Sequence, residues 1–117
     1  MKYKLVRDKI PTIIVENDQM PEFYVAEEPE YERRLLDKMV EELEEFRENP
    51  CIEEAADMCE VFSAICEHWG FGIAEVIETA EDKAEDRGRF TRRFILRIHS
   101  EEKEDNDWSC SPYGEIT

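Results

Sequence analysis

Residues 41–60, EELEEFRENPCIEEAADMCE, carry nine carboxylates, eight of them in two blocks separated by RENP. Like charge at that density repels itself, so its placement has to be worked out from helical geometry. At 100° per residue, Glu42 falls within the apolar arc made by Tyr31, Leu35, Met39, Leu43 and Phe46, and Glu45 falls on its border. In the second block Glu54 lands between Met58 and Val61, with Asp57 flanking it. Glu44, Glu48 and Glu53 turn outward and read as solvated acids.

The tight ENP connection predicts an antiparallel helical hairpin, in which residues whose numbers share a sum lie at one height. Glu42 with Asp57, and Glu45 with Glu54, both add to 99. Four inward acids are therefore level across the hairpin. Ionised carboxylates in a partly apolar groove must be protonated, splayed or neutralised by a cation. Hard divalent metals choose all-oxygen ligands, and Mg²⁺ in particular is held by carboxylates, waters and substrate phosphate.

Charge reverses between residues 83 and 97, where Lys83, Arg87, Arg89, Arg92, Arg93 and Arg97 face only Glu85 and Asp86. Lys83 and Arg87 are four apart on one helix face, a spacing suited to phosphate oxygens. Cations beside a carboxylate-bound metal make a site for a metal-complexed polyphosphate.

EELEE followed by EAAD resembles the E-E-x-x-E and E-x-x-D pattern of the all-α nucleoside triphosphate pyrophosphohydrolases, the MazG-like group that includes phosphoribosyl-ATP pyrophosphohydrolase. YKLVRDKIP and KAEDRGRF are similar to the start and end of a phosphoribosyl-ATP pyrophosphohydrolase-like subgroup, so the resemblance spans residues 2–98. It implies Mg²⁺, with Mn²⁺ as a substitute, on Glu42, Glu45, Glu54 and Asp57, with Glu41 in support. It further implies substrate phosphates on Lys83 and Arg87, joined by Arg7 and Lys9. The expected reaction cleaves a (d)NTP or related nucleotide to the monophosphate and pyrophosphate, as in house-cleaning of the nucleotide pool. Glu41 or Glu45 is the expected acceptor of a proton from water. Relatives commonly pair their hairpins, which implies a homodimer or homotetramer. The rival expectation is a non-catalytic acidic helical protein, either a DNA mimic or an interaction module.

The elements that must position these residues follow from apolar period. Tyr31, Leu35, Leu36, Met39, Val40, Leu43 and Phe46 recur every three or four positions, which predicts a helix over 29–48. NP at 49 and 50 stops it, Asn49 is the expected cap and Pro50 the expected opening residue of a second helix reaching Trp69, and GFG ends that one. A third helix carries Ile73, Val76, Ile77, Ala80 and Ala84 and ends at Gly88. The fold class is all-α: the hairpin plus a third helix in a small bundle, with short extended segments at the N-terminus and near 90–98. KIPTIIVEN reads as a Pro-initiated helical turn or irregular segment, and residues 23–26 as a short strand. One domain is expected over 1–98, followed by an acidic, flexible tail over 99–117 that Trp108 and Tyr113 could pin.

The balance of 15 Lys+Arg against 31 Asp+Glu leaves a net charge of −16 over 117 residues. Such a field disfavours nucleic acid and anionic membrane as partners. No apolar run reaches the roughly 18 residues of a membrane span, and the charged N-terminus lacks a signal peptide's apolar middle, so a cytoplasmic location is expected. The cysteines at 51, 59, 66 and 110 have no metal-ligand spacing, and Cys59 and Cys66 are expected as small buried residues on one helix side. His68 and His99 are expected to be structural or surface residues.

Overall fold

The computed structural model describes residues 2–98. Its regular structure among them is entirely helical: α1 (Ile10–Glu16), α2 (Glu28–Glu48), α3 (Ile52–His68) and α4 (Ile73–Arg87). The described residues divide into two compact units, one up to residue 73 and one from residue 74. The tail expected over 99–117, with Trp108, Cys110 and Tyr113, lies outside the described residues, as does His99.

In the first unit α2 and α3 pack together. Their direction is fixed by which residues meet: His68 at the end of α3 reaches Glu32 near the start of α2, while Glu54 and Asp57 meet Glu42. The hairpin is therefore antiparallel, as the ENP connection predicted. The turn is built differently from the expectation, however. Asn49 ends α2, Cys51 in extended backbone is the residue that precedes α3, and Asn49 Nδ2 donates to Cys51 Sγ at 3.7 Å. Pro50 thus lies outside both helices instead of opening the second.

α2 starts with Pro29 in its first turn and with Glu28 and Glu30 placed where the positive helix end favours them; Arg47 occupies the last turn. Leu35 of α2 and Cys66 of α3 are buried, 2% and 3% exposed. Cys59 is exposed, so the small-residue reading holds for Cys66 and fails for its neighbour seven positions back.

The end of α3 shows why GFG stops it. Phe71 N–H donates to Cys66 O at 2.8 Å and Gly70 N–H to Glu67 O at 3.1 Å, a paired closure that needs left-handed backbone between them. Gly70 supplies it at φ +79. Gly70→Ala is expected to lower unfolding stability by about 1 kcal/mol through backbone strain alone, because a Cβ there meets nothing within 4 Å. Urea denaturation at fixed pH checks it.

α1 is a two-turn helix with Pro11 in its first turn, where the sequence left a single turn or an irregular segment. Residues 23–26 form no strand, and run without regular structure as a connector to α2. In the second unit α4 ends at Gly88, φ +90, as expected, and residues 93–98 are without regular hydrogen bonding. No residue of α4 is buried, and Phe90, Phe94, Ile95 and Leu96 beyond it are all exposed.

Candidate metal centre

Glu42 is the buried acid of the hairpin, 5% exposed, in the apolar stripe of α2 where the wheel put it. Glu54 and Asp57, on consecutive turns of α3, are half-buried against it. One carboxylate oxygen from each of the three lies within 4.8 Å of the others. Glu42 Oε1 and Glu54 Oε1 are both buried and, among the described residues, have no hydrogen-bond partner. Native proteins rarely leave such oxygens orphaned, at roughly 1–3 kcal/mol each.

Electrostatics agree with the geometry. Burial pushes the Glu42 carboxyl above its ordinary value, and the charge of Glu45 adds to this; Lys38 pulls it back, and Asp57 raises it again. Glu45 itself is exposed, outside the converging three but close enough to act on Glu42 through its field. Of the four acids expected to turn inward, three converge and the fourth stands at the rim.

Protein cations already surround the cluster. Lys38 Nζ is 3.2 Å from Glu41 and 3.4 Å from Glu42, and Lys4 Nζ reaches Glu41 at 2.7 Å. The Lys4 hydrogen bond, with help from Lys38, holds the Glu41 carboxyl below its ordinary value. Arg7 Nη2 donates to Asp57 Oδ1 at 2.9 Å. The N-terminal arm is thus tied to both sides of the acid cluster. Lys9 behaves otherwise: its carbonyl starts α1 while its side chain is exposed.

Sequence reasoning missed Lys4 and Lys38. Lys38 carried a signal, standing three and four residues before Glu41 and Glu42 on one helix face. Lys4 carried none, since its contact spans more than thirty residues of chain. Lys83 and Arg87 lie on α4 in the second unit, both exposed; among the described residues Arg87 has Asp86 at 3.7 Å and Lys83 forms no ion pair.

A three-carboxylate set with two orphaned buried oxygens fits a hard, oxygen-seeking cation such as Mg²⁺ or Mn²⁺ and offers no soft ligand. At the other end of the hairpin Glu28, Glu32 and His68 also cluster. There His68 Nε2 meets Glu32 Oε2 at 3.0 Å and the ring stands edge to face with Tyr31 and Trp69, so it acts as a packed structural histidine.

Fold and geometry together define an all-helical protein with a carboxylate cluster across an antiparallel hairpin. Comparison with family models, with curated proteins and with solved structures gave no match. Among the described residues, no helix is long and apolar enough to cross a membrane.

Proposed function

We propose that this chain is a Mg²⁺-dependent nucleoside triphosphate pyrophosphohydrolase of the MazG-like kind, acting in the cytoplasm on (d)NTPs or a related nucleotide. The observation that carries the reading is the convergence of Glu42, Glu54 and Asp57 with two buried oxygens that have no hydrogen-bond partner among the described residues. A protein that mimics nucleic acid displays its carboxylates outward, whereas the central acid here is buried. A packed hairpin has no structural need for it.

Glu42, Glu54 and Asp57 would hold the ion, with Glu45 at the rim. When bound, Mg²⁺ polarises phosphate oxygens and makes a neighbouring water more acidic. The proton from that water goes to a carboxylate, and Glu45 suits the task better than Glu41. Glu41 is engaged by Lys4 and Lys38 and held below its ordinary value, which makes it a weak base. Its role is to fix the two lysines beside the cluster. Arg7 is the cation already at the acids, and with Lys4 it is the charge that would meet the departing pyrophosphate.

The test is pyrophosphate release from each NTP and dNTP with Mg²⁺. Release that vanishes in EDTA and returns with Mn²⁺ supports the proposal; no release from any nucleotide sinks it. Once a substrate is found, Arg7→Ala is expected to raise KM roughly tenfold, the loss of one charge-assisted phosphate contact. Steady-state kinetics at fixed ionic strength reads that change.

The reading includes a homodimer or homotetramer. Leu36, Val40 and Leu43 form an apolar row on α2 and are 48%, 58% and 43% exposed, with Phe62 of α3 exposed as well. Exposed rows of this kind mark contact surfaces. Light scattering is expected to give a mass of two or four chains, and Val40→Glu to lower it.

A further inference from the structure

A cavity of about 650 Å³ lies in the first unit between the N-terminal arm, α1 and the connector that leads into α2. Its wall includes Tyr3, Phe23 and Tyr24, all aromatic and all exposed by the ordinary measure. Aromatic surface kept out of the core and arranged around a hollow is the usual lining of a small-molecule site, and the volume is in the range for one. Tyr3 and Tyr24 stand edge to face, with centroids 5.2 Å apart at 72°, an arrangement that engages the face of only one of the two rings.

The polar part of the wall is organised in advance. Glu30 Oε2 accepts from the Tyr24 hydroxyl and from Arg34 Nε, and Arg34 Nη1 donates to the Tyr3 carbonyl at 2.7 Å. This network ties the arm and the connector to α2 and fixes Tyr24 in place.

Lys4 and Arg7 also line the cavity, and these are the same side chains whose charged ends reach Glu41 and Asp57. Going outward from the cavity, the order is aromatic wall, two cations, carboxylate cluster. A nucleotide presents the same order: flat base, anionic phosphates, and the metal that the phosphates carry. We infer that this cavity is the nucleoside subsite, receiving the base and ribose while Lys4 and Arg7 meet the phosphates at its mouth. The inference rests on the pyrophosphohydrolase reading and adds to it the place of the substrate's uncharged end.

The experiment has two arms. In the first, saturation-transfer NMR is run in EDTA with adenosine, guanosine, cytidine and uridine monophosphates, so that neither metal nor turnover is needed. Base protons are expected to receive saturation from the wild type and to lose it with Tyr24→Ala and with Phe23→Ala. In the second, kinetics of pyrophosphate release by Tyr24→Ala is expected to show KM raised roughly tenfold or more with kcat changed less than about twofold, as loss of a stacking surface requires. Mn²⁺ titration of the same variant is expected to match the wild type, which shows that the fold and the acid cluster are intact. If no monophosphate takes saturation from the wild type, or if Tyr24→Ala keeps the wild-type KM, the subsite assignment is overturned even where pyrophosphate is released. Saturation transfer that depends on Tyr24, without pyrophosphate release from any nucleotide, keeps the subsite and overturns the reaction.

Discussion

Glu42→Gln is expected to make the metal-free protein more stable and to abolish its response to Mg²⁺. In the wild type, among the described residues, one oxygen of this side chain is buried without a partner and the other has Lys38 at 3.4 Å. Glutamine keeps the shape and removes the charge that burial and Glu45 penalise. In EDTA at pH 7 to 8 the gain is expected to be about 1 kcal/mol, or ~5 °C in Tm for a domain of this size. A folded-state pKa above the unfolded one means that the native protein binds more protons between the two, so stability falls as pH rises through the folded value. The advantage of the glutamine variant is therefore full above the raised Glu42 pKa and shrinks to nothing as pH falls below the ordinary carboxyl value of 4.5.

Mg²⁺ reverses the ranking. At one hundred times its dissociation constant an ion that binds only the native state stabilises it by about 2.7 kcal/mol. The wild type gains this and the variant does not. Activity is expected to drop at least ~100-fold, since even the residues that merely orient metal ligands cost 10 to 100-fold when replaced. Thermal melts of both proteins with and without Mg²⁺ at two pH values are sufficient. Equal Mg²⁺ shifts in the two proteins would remove the metal from the account.

Leu35→Ala is the substitution expected to cost the fold most. Leu35 is 2% exposed and, among the described residues, shares full apolar burial only with Cys66. Its truncation removes the transfer energy of the side chain and leaves a cavity that two packed helices can only partly close. A loss of ~3 kcal/mol is expected, set against a total of roughly 5–15 kcal/mol for natural domains. The urea midpoint should fall with an unchanged slope. Leu36→Ala, one position along and 48% exposed, is the control and should cost far less in the dissociated chain. A similar cost at both positions would mean that the observed packing of α2 against α3 is not what holds the hairpin.

The long helices were legible in the residues because their apolar positions repeat at the helical period and their ends carry proline, asparagine or glycine. Helices predicted over 29–48, up to Trp69, and up to Gly88 are observed as Glu28–Glu48, Ile52–His68 and Ile73–Arg87. The inward acids were legible for the same reason. Glu42 sits in a stripe that must be buried, and the short connection sets its height against Asp57. α1 was not, because seven residues are too few for a period to show.

Sequence alone determined which helix faces are apolar, that Glu42 lies on one of them, and that the two acidic blocks oppose each other. These are local properties, fixed by 100° per residue and by the length of one turn. Only the tertiary structure decided that Lys4 and Arg7 close over the acids, that Cys59 is exposed while Cys66 is buried, and that the arm and connector enclose a cavity. Those contacts join residues up to fifty positions apart. Their energy depends on where the chain returns in space, and no periodicity along it encodes that.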